Sequence, residues 1–139
     1  MIQLIVGEKG KGKTKILLDK VNSEIKTAHG NIVYLDKSTK HMYELNNKVR
    51  LIDVSSFDLA SSDEFIGFIY GIISQDHDLE QMYLDSFLKI SVSDEENVND
   101  LLTKLAKIGE KYQITFVISV SVAASSIADT YRENVIAEL

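Results

Sequence analysis

The sequence predicts an α/β three-layer sandwich with a mostly parallel central sheet of about five strands. Short apolar runs alternate with segments whose apolar residues recur every three to four positions. Strands that alternate with helices must be rejoined by crossovers, which makes them parallel and covers both faces of the sheet. A glycine-rich octet joins the first apolar run to the first helical segment. No internal repeat, low-complexity tract or Gly/Ser linker interrupts the alternation. With 139 residues the natural expectation is one domain spanning 1–139.

Ile2–Val6 reads as a buried strand because it is a short apolar run, interrupted only by Gln3. Residues 13–28 read as a helix, with Ile16, Leu17, Val21 and Ile25 on one face and charged residues on the other. Gly30 is placed to end that helix in a left-handed cap. Residues 31–36, 50–54 and 81–85 supply three further strands. Ser61 and Glu64 have capping-box spacing, so a helix is expected over 63–73, apolar on nearly every side. Ser93 and Glu96 repeat that spacing ahead of the stripe Val98, Leu101, Leu102, Leu105 and Ile108. Residues 114–120 form the last and most apolar strand. Residues 126–139 are expected to close the chain as a helix, with Ile127, Tyr131, Val135 and Leu139 on one side.

Composition narrows the function. There is no cysteine, which excludes disulfides and zinc–thiolate sites. His29, His41 and His77 lack metal-ligand spacing. No apolar run reaches the length of a membrane span, and the first residues lack the features of a signal peptide. A cytoplasmic protein is expected. The net charge of −6 is uneven: residues 1–50 hold ten Lys/Arg against five Asp/Glu, and the remainder holds five against sixteen. Five of the ten basic residues lie between Lys9 and Lys20, which points to a small polyanionic ligand. The acidic remainder argues against a broad nucleic-acid footprint.

The octet Gly7-Glu8-Lys9-Gly10-Lys11-Gly12-Lys13-Thr14 fits G-x-x-x-x-G-K-[ST] at every fixed position. Such a loop curls so that successive N–H groups point at a phosphate, and side chains at Gly7, Gly10 and Gly12 would obstruct it. The helix that follows offers its N-terminus to the anion. Lys13 is expected on the β- and γ-phosphates and Thr14 on Mg²⁺, with Lys15 counted among the nucleotide-binding residues.

The octet resembles the Walker A loop of P-loop nucleoside triphosphatases. Its finer form, G-x-x-G-x-G-K-T, is similar to the branch with an extra strand beside the Walker A strand, which includes AAA+, RecA-like and secretion ATPases. The chain also resembles small bacterial P-loop proteins catalogued with twitching-motility retraction ATPases, although the additional domain and the acidic and histidine boxes of those motility enzymes cannot be placed within residues 1–139. The resemblance implies ATP and Mg²⁺ as cofactors.

It also implies a Walker B strand, apolar and ending in an aspartate that holds the metal. Three strands end that way, in Asp36, Asp53 and Asp85. Asp85 is preferred, because its strand follows a buried helix and precedes another crossover. Asp36 and Asp53 read better as turn or cap aspartates. The strand 114–120 should then lie between the Walker A and Walker B strands, with Ser119 or Ser121 near the γ-phosphate.

Catalytic residues cannot be assigned from the sequence. Asp85 is followed by Ser86, Phe87 and Leu88 rather than by a glutamate. Glu80 precedes its strand, Glu95 and Glu96 lie at a helix start, and Arg50 and Arg132 are the only arginines. Asn47-Lys48-Val49-Arg50 departs from the guanine-reading N-K-x-D, and there is no D-x-x-G switch. Two arginines are too few for a typical small-molecule kinase. Glu8 stands where a ParA/MinD-type loop needs lysine. Asp76-His77-Asp78 reads as a solvated turn. The expectation is an Mg·ATP-binding domain that is a weak or partner-activated ATPase, with a protein partner or a second copy supplying the missing group. The alternative is a non-hydrolysing, nucleotide-gated module for a protein partner.

Overall fold

A computed structural model describes residues 1–139. Six strands form one sheet: β1 (Ile2–Val6), β2 (Asn31–Asp36), β3 (Arg50–Asp53), β4 (Leu79–Leu84), β5 (Thr115–Val120) and β6 (Val135–Glu138). Their spatial order is β3-β2-β4-β5-β1-β6, and every neighbouring pair is parallel. The helices are α1 (Lys13–Glu24), α2 (Ser62–Ser74), the single turn α3 (Phe87–Ile90) and α4 (Val98–Tyr112).

The two faces of the sheet are unequal. Ile2, Leu4, Val33, Leu35, Met82, Leu84, Phe116 and Ile118 belong to a 26-residue core shared with α2 and α4. Ile5, Ile32, Tyr34, Tyr83 and Val117 point the other way, into a 10-residue core built on Leu17, Leu18 and Val21 of α1. Side chains alternate along a strand. The same parity therefore carries Asp36, Asp85 and Ser119 onto the α1 side, at the ends of their strands. That alternation sets the site.

Several elements differ from the sequence reading. Residues 126–139 are not a helix. They form a 3₁₀ segment, Asp129–Asn134, and then the sixth strand, β6. The chain is tied there by Asn134 Nδ2 donating to the Ile2 carbonyl and Leu139 N donating to that of Val6. Pairing with β1 outweighs a helical spacing of only four apolar residues. Gly30 is not a left-handed cap. A Cβ there would lie 2.1 Å from the Asp78 carbonyl, so its role is close approach to the loop before β4. The Ser61 cap forms, with Glu64 N donating to Ser61 Oγ at 3.2 Å. The second capping box does not; α4 starts at Val98, after a turn held by Asn97 N on Asp94 Oδ1. Burial of α2 is one-sided: Phe65, Ile69, Ile72 and Ile73 are buried, while Tyr70 is exposed.

Candidate functional site

In an open parallel sheet, ligands sit beyond the carboxyl ends of the strands, where the order reverses. Here the loop after β1 and the ends of β5, β4 and β2 surround a crevice of about 450 Å³. It is lined by Lys9, Gly10, Gly12, Lys13 and Thr14 on one side and by Asp36, Asp85, Ser119 and Ser121 at the strand ends.

The loop is bent by its glycines. Gly10 and Gly12 have φ of +86° and +95°, and Gly12 is the residue from which α1 starts. At Gly7, whose φ is +150°, a Cβ would press on the backbone of Leu139, next to β6. The Lys13 side chain is folded into the loop, its Nζ donating to the Glu8 carbonyl at 2.9 Å. Burial lowers the Lys13 pKa, and the charge of Asp85 opposes that shift. Lys15 points away and pairs with Asp19 on the exposed side of α1. Gly7, Glu8 and Lys11 belong to the loop without lining the crevice.

Four donors converge on Asp85. Thr14 Oγ1 (3.2 Å), Ser119 Oγ (2.7 Å) and Ser86 N (2.9 Å) bond to Oδ1, and Tyr34 OH (2.8 Å) bonds to Oδ2. Three of the four fall on Oδ1, and the Ser86 N–H is shared with Ser119 Oγ at 3.1 Å. The phenol of Tyr34 has its pKa raised by burial first and by Asp85 second, so it remains a donor. The Tyr34 ring stacks on Tyr83 from the neighbouring strand, with centroids 6.2 Å apart.

Of the three strand-end aspartates, Asp85 alone meets Thr14. Asp53 lies at the sheet edge and closes its own turn, accepting from Ser55 N and Ser55 Oγ. Asp36 has two characters. Its Oδ1 accepts from Lys37 N, as a turn aspartate would, but it is 2% exposed and its buried Oδ2 has no partner. Burial and then repulsion from Asp85 raise its pKa. The sequence disfavours Asp36 because, in the fold its octet resembles, the strand directly after the Walker A helix lies farther from the phosphates than the Walker B strand; here β2 is the third strand from β1. The parity shared with Tyr34 was the signal that could have kept it.

The remaining acids and both arginines are elsewhere. Glu80 accepts from Gly30 N at 2.6 Å, at the opposite end of β4. Glu95 bonds to Ser126 Oγ. Arg50, the first residue of β3, pairs with Asp76 at 3.1 Å. Arg132 binds the Ile127 and Ser125 carbonyls and Asp129. The buried Asp76 carboxylate also accepts from Asn31 and Asp78 N, so it organises a turn.

A crystal structure of a KaiC-like protein from the hyperthermophilic archaeon Pyrococcus horikoshii matches the fold of this chain with a TM-score of 0.63. The chain has a P-loop-type α/β fold. Identity is 18%, and the match covers 95% of this chain and 66% of that one. No protein-family model matches the sequence, and no curated protein does. In this P-loop-type fold, β5 lies between β1 and β4, the place expected of it from the sequence. No helix is long and apolar enough to cross a membrane.

Proposed function

We propose that residues 1–139 are one nucleotide-binding domain that holds Mg·ATP in this crevice and hydrolyses it slowly. The observation that carries the reading is the meeting of Thr14, at the head of α1, with Asp85, at the end of β4, beside the buried ammonium of Lys13. The octet acts as a Walker A loop. Its backbone N–H groups and Lys13 take the β- and γ-phosphates, and Lys13 gives up the Glu8 carbonyl to do so. The Thr14 hydroxyl and Asp85 carboxylate are hard oxygen donors suited to Mg²⁺. When bound, that ion neutralises charge on the β- and γ-oxygens.

Asp36 is the crevice's one carboxylate with a free buried oxygen. Its raised pKa suits a group that orients a water and takes its proton as the γ-phosphate is attacked. No arginine is positioned to stabilise the developing charge, which keeps turnover slow in the isolated chain. A second copy or another protein that inserts a cation would raise it. The remoteness of both arginines equally favours the second reading, a nucleotide-gated module that holds ATP without cleaving it.

Single-turnover hydrolysis at varied protein concentration, run beside calorimetric binding of Mg·ATP, tests both. Phosphate release that rises with concentration supports the assisted ATPase. Tight binding without release supports the gated module. Failure to bind Mg·ATP removes both.

A further inference from the structure

The crevice is more basic than a Mg·nucleotide requires. Lys9 and Lys13 belong to the loop that would take the triphosphate, which its own metal already partly neutralises. Three further ammonium groups line the same crevice: Lys37 and Lys40, from the segment after β2, and Lys89, on α3 after β4. None of the three has an acidic partner within ion-pair distance, and all three are exposed. The two carboxylates, Asp36 and Asp85, lie beneath them and are each 2% exposed. The crevice therefore has an acidic floor suited to a metal and a basic rim suited to an anion. Strands are spaced by about 4.8 Å, so the end of β2 stands ~14 Å from the end of β1, across β5 and β4. Lys37 follows β2 and Lys89 follows β4, and β5 separates both of those strands from β1. The hydroxyl of Ser86 adds a donor there.

We infer that Lys37, Lys40 and Lys89 form a second anion subsite, which takes a phosphate-type dianion across the crevice from the nucleotide. The inference rests on the nucleotide reading above and extends it to a second ligand. A concave wall of like charge concentrates an anion even on a chain whose net charge is −6. That acidic balance selects a small ligand over an extended polyanion. The dianion has two sources, phosphate released from the nucleotide or a phosphate group carried by a second molecule.

The test is calorimetric titration of the full chain, saturated with Mg·ADP, with inorganic phosphate and separately with glycerol phosphate. Wild type should bind phosphate, and the double variant Lys37→Ala/Lys89→Ala should bind it at least about tenfold more weakly. Its loss of phosphate affinity should exceed any loss of Mg·ADP affinity. Lys48→Ala, an exposed lysine outside the crevice, should match wild type. Binding of inorganic phosphate alone supports a site for the released product. Binding of both probes supports a site for a second phosphorylated molecule. Phosphate binding that is absent in wild type up to about 10 mM, or undiminished in the double variant, overturns the inference while leaving the nucleotide reading intact. Failure of wild type to bind Mg·ADP overturns both.

Discussion

The phenol of Tyr34 donates to Oδ2 of Asp85 at 2.8 Å, from a side chain with no exposed surface. Tyr34 is on β2 and Asp85 follows β4, the strand beside it, so the bond crosses one strand spacing and fixes the carboxylate opposite Thr14. Tyr34→Phe keeps the ring and its stacking on Tyr83 but leaves Oδ2 without a donor. A hydrogen bond to a charged group contributes about 1.5–3 kcal/mol, and urea denaturation should show a loss of that order. If Tyr34 positions Asp85 for Mg²⁺, the variant should also lose more affinity for Mg·ATP than for metal-free ATP. Equal losses would leave Tyr34 a purely structural role.

Lys13→Ala should weaken ATP binding by about 10–100-fold, the range expected for one lost charge-assisted contact to phosphate. The fold should survive, because the change removes an ammonium that burial already disfavours and opens no apolar cavity. Calorimetry and circular dichroism together check this. Unchanged affinity in a folded variant would exclude the loop as a phosphate cradle.

Asp85→Asn and Asp53→Asn should separate metal binding from turn formation. Asp85→Asn removes the charge that faces Thr14 and should abolish most of the Mg²⁺ dependence of ATP binding. Asp53→Asn should leave that dependence intact. Asparagine caps turns nearly as well as aspartate, so its stability should change by less than about 0.5 kcal/mol. Titrations with and without Mg²⁺, and thermal melts, give the comparison.

Asp36 ties stability to pH. Its pKa is raised in the folded chain, so the fold prefers the protonated form. That contribution is fully present below the unfolded carboxyl value of about 3.9 and is lost as pH rises through the folded value. Asp36→Asn should therefore be more stable than wild type at pH 7, by about 3–5 °C in Tm for each ~1 kcal/mol relieved. The gap should close as pH falls towards 4. A wild type that melts higher than the variant at pH 7 would contradict the assignment.

The same substitution should affect hydrolysis in the opposite sense. Wild-type turnover should fall well below a typical enzyme median of about 10 per second. Asp36→Asn should reduce it by a further 10²–10⁴-fold or so, the usual worth of a positioned base. Mg·ATP affinity should hold. Steady-state phosphate release decides it, and an unaffected rate would place the water-orienting group elsewhere.

Much of this protein was legible in its sequence, for local reasons. The strands β1, β2 and β5 are short, mostly apolar runs, as expected of strands buried on both faces of a parallel sheet. The octet is recognisable because its conformation demands glycine and its chemistry demands lysine and threonine at fixed offsets. Asp85 could be preferred from the order of elements. What lay beyond the sequence is lateral. Residues 126–139 have a helical spacing, yet their last part, Val135–Glu138, pairs with β1, because hydrogen bonds to an open sheet edge outweigh a weak propensity. Lys37 and Lys89 are distant in sequence from the octet and nothing in their local patterns ties them to it, while Asp36 and Tyr34 carry only the parity of their strand. Only the strand order β2-β4-β5-β1, with α1 alone on one face, brings Asp36, Lys37 and Lys89 to its crevice and Tyr34 to Asp85. Which strands become neighbours is set by how two unequal cores are buried at once, and that is a property of the whole chain.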